Sequence, residues 1–135
     1  GNVTYKDVLT VQPFGNIVTY IDMSGKEVLD YLNVVATKPV DSGAYVQFYG
    51  VSMTVADGEV SDVKFAGKSL DLEETYRFTV PSYNAAGGDG YPKVSTHPGY
   101  VNTGFVDAEV LKEFLEANSP VDVNKFAPKG EIVYK

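Results

Sequence analysis

Cysteine is absent from this 135-residue chain, and histidine occurs once, as His97. Without cysteine there are no disulfides, thiolate zinc sites or Cys nucleophiles, and the redox compartment is left open. A lone histidine is nearly as restrictive. Metal-assisted hydrolysis needs several His, Asp or Glu side chains converging on the ion. A Ser-His-Asp arrangement would have to use His97, which stands before Pro98 in a turn-rich stretch, and no serine has a nucleophile-elbow setting. His97 therefore reads as a surface or structural residue, and hydrolysis by this chain alone is not expected. Gly67-Lys68-Ser69 has the end of a P-loop, but Asp62 stands where its first glycine belongs, so a hairpin turn is the better reading. Basic residues are also few: 11 Lys and Arg face 18 Asp and Glu, for a net charge of -7. That balance excludes nucleic acid as a partner, because phosphate binding needs clustered cations. An anionic small molecule would have to be attracted by local groups against the bulk charge. No apolar run has the length needed to span a bilayer, so no membrane association is expected. No signal peptide is seen, and the chain opens abruptly at Gly1, which reads as part of a longer precursor.

What is present suits one domain with a real core. Thr4-Tyr5-Lys6-Asp7 has capping-box form and predicts a short helical turn through Leu9. Ile17 to Met23 is β-branched and apolar and predicts a strand. Ser24 to Glu27 repeats the capping box, and Val28, Tyr31, Leu32 and Val35 follow at helical spacing to about Ala36. Tyr45 to Val55 and Val60 to Phe65 predict a hairpin around Asp57-Gly58. Tyr76 to Val80 predicts a further strand. Asp107 is expected to cap a helix carrying Val110, Leu111, Phe114 and Leu115 on one face. Ile132 to Tyr134 predicts an edge strand. The mixture of hairpins and helices indicates an α+β domain, with mixed or antiparallel sheets and flanking helices, rather than a doubly wound parallel sheet.

The most informative segment runs from Ser82 to Pro92. Its glycines at 87, 88 and 90 permit positive φ and close approach to a ligand. Asp89 stands among them with little cover, and Tyr83 and Tyr91 flank them. Such a loop can stack a planar ring on a tyrosine while the carboxylate accepts hydrogen bonds from NH groups or hydroxyls. It can also be a plain turn. Phe14, between Pro13 and Gly15, suits either a stacking plate or a core plug. Asn16 offers an amide that can read a base edge or cap a turn, and Gly43 either admits close backbone approach or ends a loop.

The Ser82–Pro92 segment, together with Val11-Gln12-Pro13-Phe14-Gly15-Asn16, Asp41-Ser42-Gly43-Ala44-Tyr45 and Pro98 to Phe105, resembles the C-terminal, substrate-binding domain of bacterial periplasmic 5'-nucleotidases and UDP-sugar hydrolases. The blocks keep that family's order and spacing, and similarity runs on to Pro128-Lys129-Gly130-Glu131. The resemblance implies a layered α+β domain over residues 1–135, truncated at its N-terminal side. It also implies a nucleoside base sandwiched between Phe14 and Tyr83, with further contacts from Asn16 and Gly43. Asp89 would take the ribose hydroxyls. Phe is common in the family at the position of Tyr83. The family's nucleotide-holding arginines lie upstream of the matching segment. Its two divalent metal ions and catalytic residues belong to an N-terminal metallophosphoesterase domain, the expected partner in the same chain. The parent enzyme is then a periplasmic or secreted, metal-dependent nucleotide phosphohydrolase. Related enzymes acting on 2',3'-cyclic nucleotides share the domain, and a non-catalytic nucleoside- or sugar-binding module is the reading from another class. A truncated domain could also form a homo-oligomer through its uncovered edge.

Overall fold

The structure is a computed structural model describing residues 1–135. Two capping boxes start two of its helices. Thr4 Oγ1 accepts the Asp7 N–H at 3.2 Å and Asp7 Oδ2 accepts the Thr4 N–H at 2.8 Å, opening α1 (Tyr5–Val11). Ser24 and Glu27 exchange the same pair of bonds and open α2 (Gly25–Val35) directly from the end of β1 (Ile17–Ser24). Each box satisfies first-turn donors that the helix itself leaves unpaired. Along β1, Thr19, Ile21 and Met23 point inward, the alternation a half-buried strand requires.

β1 is the middle strand of a three-stranded antiparallel sheet. It lies between β5 (Thr75–Pro81) and β6 (Tyr100–Val106). A second sheet has the order β4 (Lys68–Ser69), β3 (Glu59–Phe65), β2 (Val51–Ala56), β7 (Ile132–Tyr134). Its hairpins are antiparallel, and β7 joins β2 in parallel. α2 packs on β1, β3 and β5, and its Val28, Tyr31, Leu32 and Val35 meet Ile21, Met23, Met53, Val63 and Val80 in one buried cluster. The α+β class, with mixed sheets and flanking helices, is the observed one. A four-residue α3 (Ser82–Ala85) leaves the end of β5 and leads into the glycine run, and α4 (Asp107–Ala117) follows β6.

Three local expectations differ from the structure. The strand expected from Tyr45 begins at Val51, because Gly50 turns the chain at φ +85°. Residues 45 to 48 form an irregular strap, not part of a ladder. β6 was not expected. Its side chains are half-buried or exposed throughout and carry no alternating pattern for the sequence to display. The cap of α4 is Val106 rather than Asp107, whose Oδ1 instead accepts the Ala108 N–H at 2.7 Å within the first turn.

Candidate functional site

Three separated segments meet at one end of the three-stranded sheet. The bend carrying Phe14 and Asn16 enters β1, the loop from Ser82 to Tyr91 leaves β5, and the connection from Lys38 to Ala44 follows α2. Hydrogen bonds tie the first two directly. Asn16 Oδ1 accepts the Tyr83 N–H at 2.9 Å and the Ser82 hydroxyl at 3.3 Å, while Ser82 Oγ accepts the Ile17 N–H at 2.9 Å. Asn16 is thus a brace that caps the first turn of α3 from another segment. This leaves only its Nδ2 donor for any other partner. On the far side of the loop, the Tyr91 hydroxyl donates to Ala44 O at 2.8 Å and the Lys38 ammonium to Gly90 O at 3.2 Å.

Phe14 is 85% exposed and Tyr83 56%, so neither ring is a core plug. Their loops are joined through Asn16, yet the two rings do not stack on each other, and neither belongs to any of the protein's aromatic pairs. The Tyr83 ring lies against Gly88, where a Cβ would stand 2.5 Å from it. A glycine there lets the ring fold back over its own loop. Tyr91, the other flanking aromatic, is not a free plate. Its ring meets Tyr31 edge-on at 6.5 Å and packs on the core. Burial, and then the Asp89 charge, raises its phenol pKa, keeping it protonated as the donor to Ala44.

Asp89 is exposed and left-handed, at φ 59° and ψ 19°. That conformation costs a non-glycine residue on the order of 1 kcal/mol, although Asp tolerates it better than most. Asn84 Nδ2 donates to Gly88 O at 3.3 Å and approaches Asp89 Oδ2 at 3.5 Å, a long contact that leaves the carboxylate open. Gly43 is exposed in the turn from Asp41 to Ala44, without positive φ, and a Cβ there would meet nothing within 4 Å. Nothing inside the protein demands glycine at that position. Hydrogen bonds join the segments of Asn16 and Tyr83, and Phe14 stands two residues before Asn16. Asp89 and Gly43 lie on the loop and the turn that the Tyr91–Ala44 and Lys38–Gly90 bonds tie together.

The larger cavity borders this loop at Asn84 and Tyr91 but not at its exposed groups. It is a gap of about 680 Å³ between the sheets under the strap, lined by Tyr31, Phe48, Phe65 and Phe78 among others. Neither Phe14, Tyr83 nor Asp89 lines it, although the 84% exposed Tyr49 does. The candidate site, by contrast, is an open surface carrying the exposed Phe14, Tyr83 and Asp89.

His97 is structural. Its Nδ1 accepts the Gly99 N–H at 2.9 Å, which places the ring proton on Nε2, facing Glu27 Oε2 at 2.7 Å. No three His, Asp or Glu side chains converge in a way that could hold a metal ion, so the residues present do not fit the divalent ions that the resemblance implies for a longer enzyme. No helix is long and apolar enough to cross a membrane.

The family model for the C-terminal domain of 5'-nucleotidase matches residues 1–96. Over its full length the chain is 83% identical to a 5'-nucleotidase of Vibrio vulnificus and 53% identical to protein UshA of Escherichia coli, covering 24% of each. Among solved structures, the 5'-nucleotidase precursor of Thermus thermophilus superposes with a TM-score of 0.84 at 31% identity, over 98% of this chain and 28% of that one. The chain therefore spans about a quarter of the length of the relatives it matches.

Proposed function

This chain belongs to the family of 5'-nucleotidase C-terminal domains, and from that premise we propose that it is the substrate-binding part of a longer nucleotide phosphohydrolase. In this reading Phe14 and Tyr83 stack on the two faces of a nucleobase, Asn16 Nδ2 and the backbone at Gly43 contact its edge, and Asp89 accepts the ribose hydroxyls. The observation that carries the reading is the pair of exposed aromatics, Phe14 and Tyr83, set on loops that Asn16 bonds together. Exposing two large rings costs hydrophobic stabilisation, and a bound planar ligand recovers it. The left-handed Asp89 and the open space above Gly43 support it further.

What this chain's residues do is bind and orient. The rings and the carboxylate fix the nucleoside, and the phosphate projects away from them toward groups supplied by the rest of the longer protein. There, a metallophosphoesterase domain with two divalent ions would supply the hydrolytic chemistry, in a secreted enzyme that takes nucleotides and UDP-sugars. The isolated chain binds nucleosides weakly and hydrolyses nothing.

A thermal-shift screen with adenosine, uridine, AMP and UDP-glucose tests the binding. A ligand that binds only the folded state raises its melting temperature in proportion to RT ln(1 + [L]/Kd). Stabilisation by nucleosides is expected. If none of the four shifts the transition at millimolar concentration, the reading fails. Phosphate release from AMP with added Mn²⁺, Co²⁺ or Zn²⁺, in a preparation free of host phosphatases, would refute the assignment of hydrolysis to the other domain.

A further inference from the structure

The glycine run between Ser82 and Tyr91 is rich in left-handed backbone, strained at Asp89 alone. Gly87, Asp89 and Gly90 all have positive φ, at 100°, 59° and 74°. Local bonds hold part of it, from Asn84 Nδ2 and Tyr91 N to Gly88 O. Of all the hydrogen bonds made to residues 87–90, one comes from elsewhere in the chain: the Lys38 ammonium donates to Gly90 O at 3.2 Å, across 52 positions. Lys38 is half-buried just past the end of α2, and forms none of the molecule's ion pairs. Its Nζ approaches so closely that a Cβ at Gly90 would stand 2.8 Å away. A cation without a carboxylate partner is thus spent on one backbone carbonyl, immediately after the residue whose carboxylate faces solvent.

We propose that Lys38 is a positioning residue that clamps the glycine run to the end of α2 and so fixes the direction in which Asp89 presents its carboxylate. The clamp itself stands on the geometry of the loop. Its consequence for ligands rests on the nucleoside reading, in which Asp89 meets the ribose. Lys38 then governs the ribose share of affinity and leaves the base share, carried by Phe14 and Tyr83, untouched. The second tie, from the Tyr91 hydroxyl to Ala44, anchors the Tyr91 side chain on the core through Tyr31 and leaves Lys38 as the long-range tie on the backbone from Gly88 to Gly90.

The test uses the 135-residue chain and its K38M and K38R variants. Amide hydrogen exchange at Tyr91, whose N–H donates to Gly88 O, reads the clamp without ligand. K38M should exchange about 3- to 10-fold faster, the range expected for one partly exposed charge-assisted bond, and K38R should restore the slow rate. An unchanged rate in K38M overturns the clamp. Binding of adenosine and adenine reads the consequence. K38M should weaken adenosine by about 3- to 10-fold and leave adenine unchanged, with K38R near wild type. Equal adenosine affinity for K38M and wild type overturns the role in ribose positioning. Loss for AMP with adenosine unchanged overturns it too, by assigning Lys38 to the phosphate. Faster exchange in K38M, with no adenosine binding by the wild type, sustains the clamp while sinking the nucleoside reading and the link to ribose.

Discussion

Two helices of 11 residues each show how differently one pattern can end up. Both α2 and α4 carry an apolar stripe at helical spacing. α2 buries Val28, Tyr31, Leu32 and Val35 against both sheets. α4 buries only Ala108 and leaves Val110 37% and Phe114 40% exposed. The capping differs in the same direction, since α2 opens on a full capping box and α4 has no side-chain cap. What holds α4 is slight: a Tyr5 hydroxyl bond to Glu109, the Lys112 ammonium 5.7 Å from the Tyr5 ring, and Phe126 edge-on to Phe114. The lesson is that periodicity reports which face wants burial, and the surroundings decide whether it is buried. Val3, Leu9, Val11, Phe105 and Phe126 are also exposed, so this half of the molecule presents a broad apolar surface of the kind that partners cover.

The comparison breaks first at the core. Leu32→Ala should lower stability by about 2–5 kcal/mol, the usual loss for truncating a buried leucine. Phe114→Ala, at an exposed position, should cost about 1 kcal/mol or less. Equal losses in urea denaturation would mean that α4 is as well packed as α2.

The next effect separates two kinds of exposed aromatic. Tyr83→Ala should weaken nucleoside binding by about 1–3 kcal/mol without lowering the melting temperature, and Phe114→Ala should leave binding alone. Asp89→Ala should cost ribonucleosides about 1 kcal/mol more than free bases, because it removes one acceptor for hydroxyls. Isothermal titration with adenosine and adenine measures both. Uniform loss across ligands and variants would mean that unfolding, rather than the site, is being read.

A weaker effect is self-association through the uncovered half. Light scattering should show mass rising with concentration, and Phe114→Lys should suppress it without changing the fold. A concentration-independent monomer refutes that use of the surface.

The smallest effect concerns the caps. The Ser24 N–H, and then His97, holds the Glu27 carboxyl below its ordinary value of 4.5. A lowered folded value means stability that is complete above pH 4.5 and is lost as pH falls through the lower value. Glu27→Gln should therefore be less stable than wild type at neutral pH by about 0.5–1 kcal/mol, with the gap closing below the carboxylate range. A gap independent of pH would remove the charge from the explanation.

Much of this was legible in the sequence where local chemistry decides. Thr4, Asp7, Ser24 and Glu27 announced two helix starts, and Asp57-Gly58 announced a hairpin. β6 was not legible, because an edge strand with both faces partly open has no alternation to read. The strap from Tyr45 to Phe48 reads as strand in the sequence because Tyr45, Val46 and Phe48 are strand-forming residues, and only tertiary contacts show that the neighbouring Ala44 carbonyl is taken by Tyr91. For the site, residue types suggested Phe14, Asn16, Gly43, Tyr83 and Asp89, but not how they are held. The brace by Asn16 and the clamp by Lys38 join positions 67 and 52 apart in sequence, and no local pattern encodes such a meeting.

The most direct measurement of the central claim is an adenosine titration followed by amide chemical shifts along the whole chain. If the three segments form one nucleoside site, the shifts concentrate at residues 14–17, 43–44 and 82–91, and saturate with a single dissociation constant. Shifts confined to the gap between the sheets, at Tyr31, Phe48 and Phe78, would place the ligand elsewhere and contradict the account.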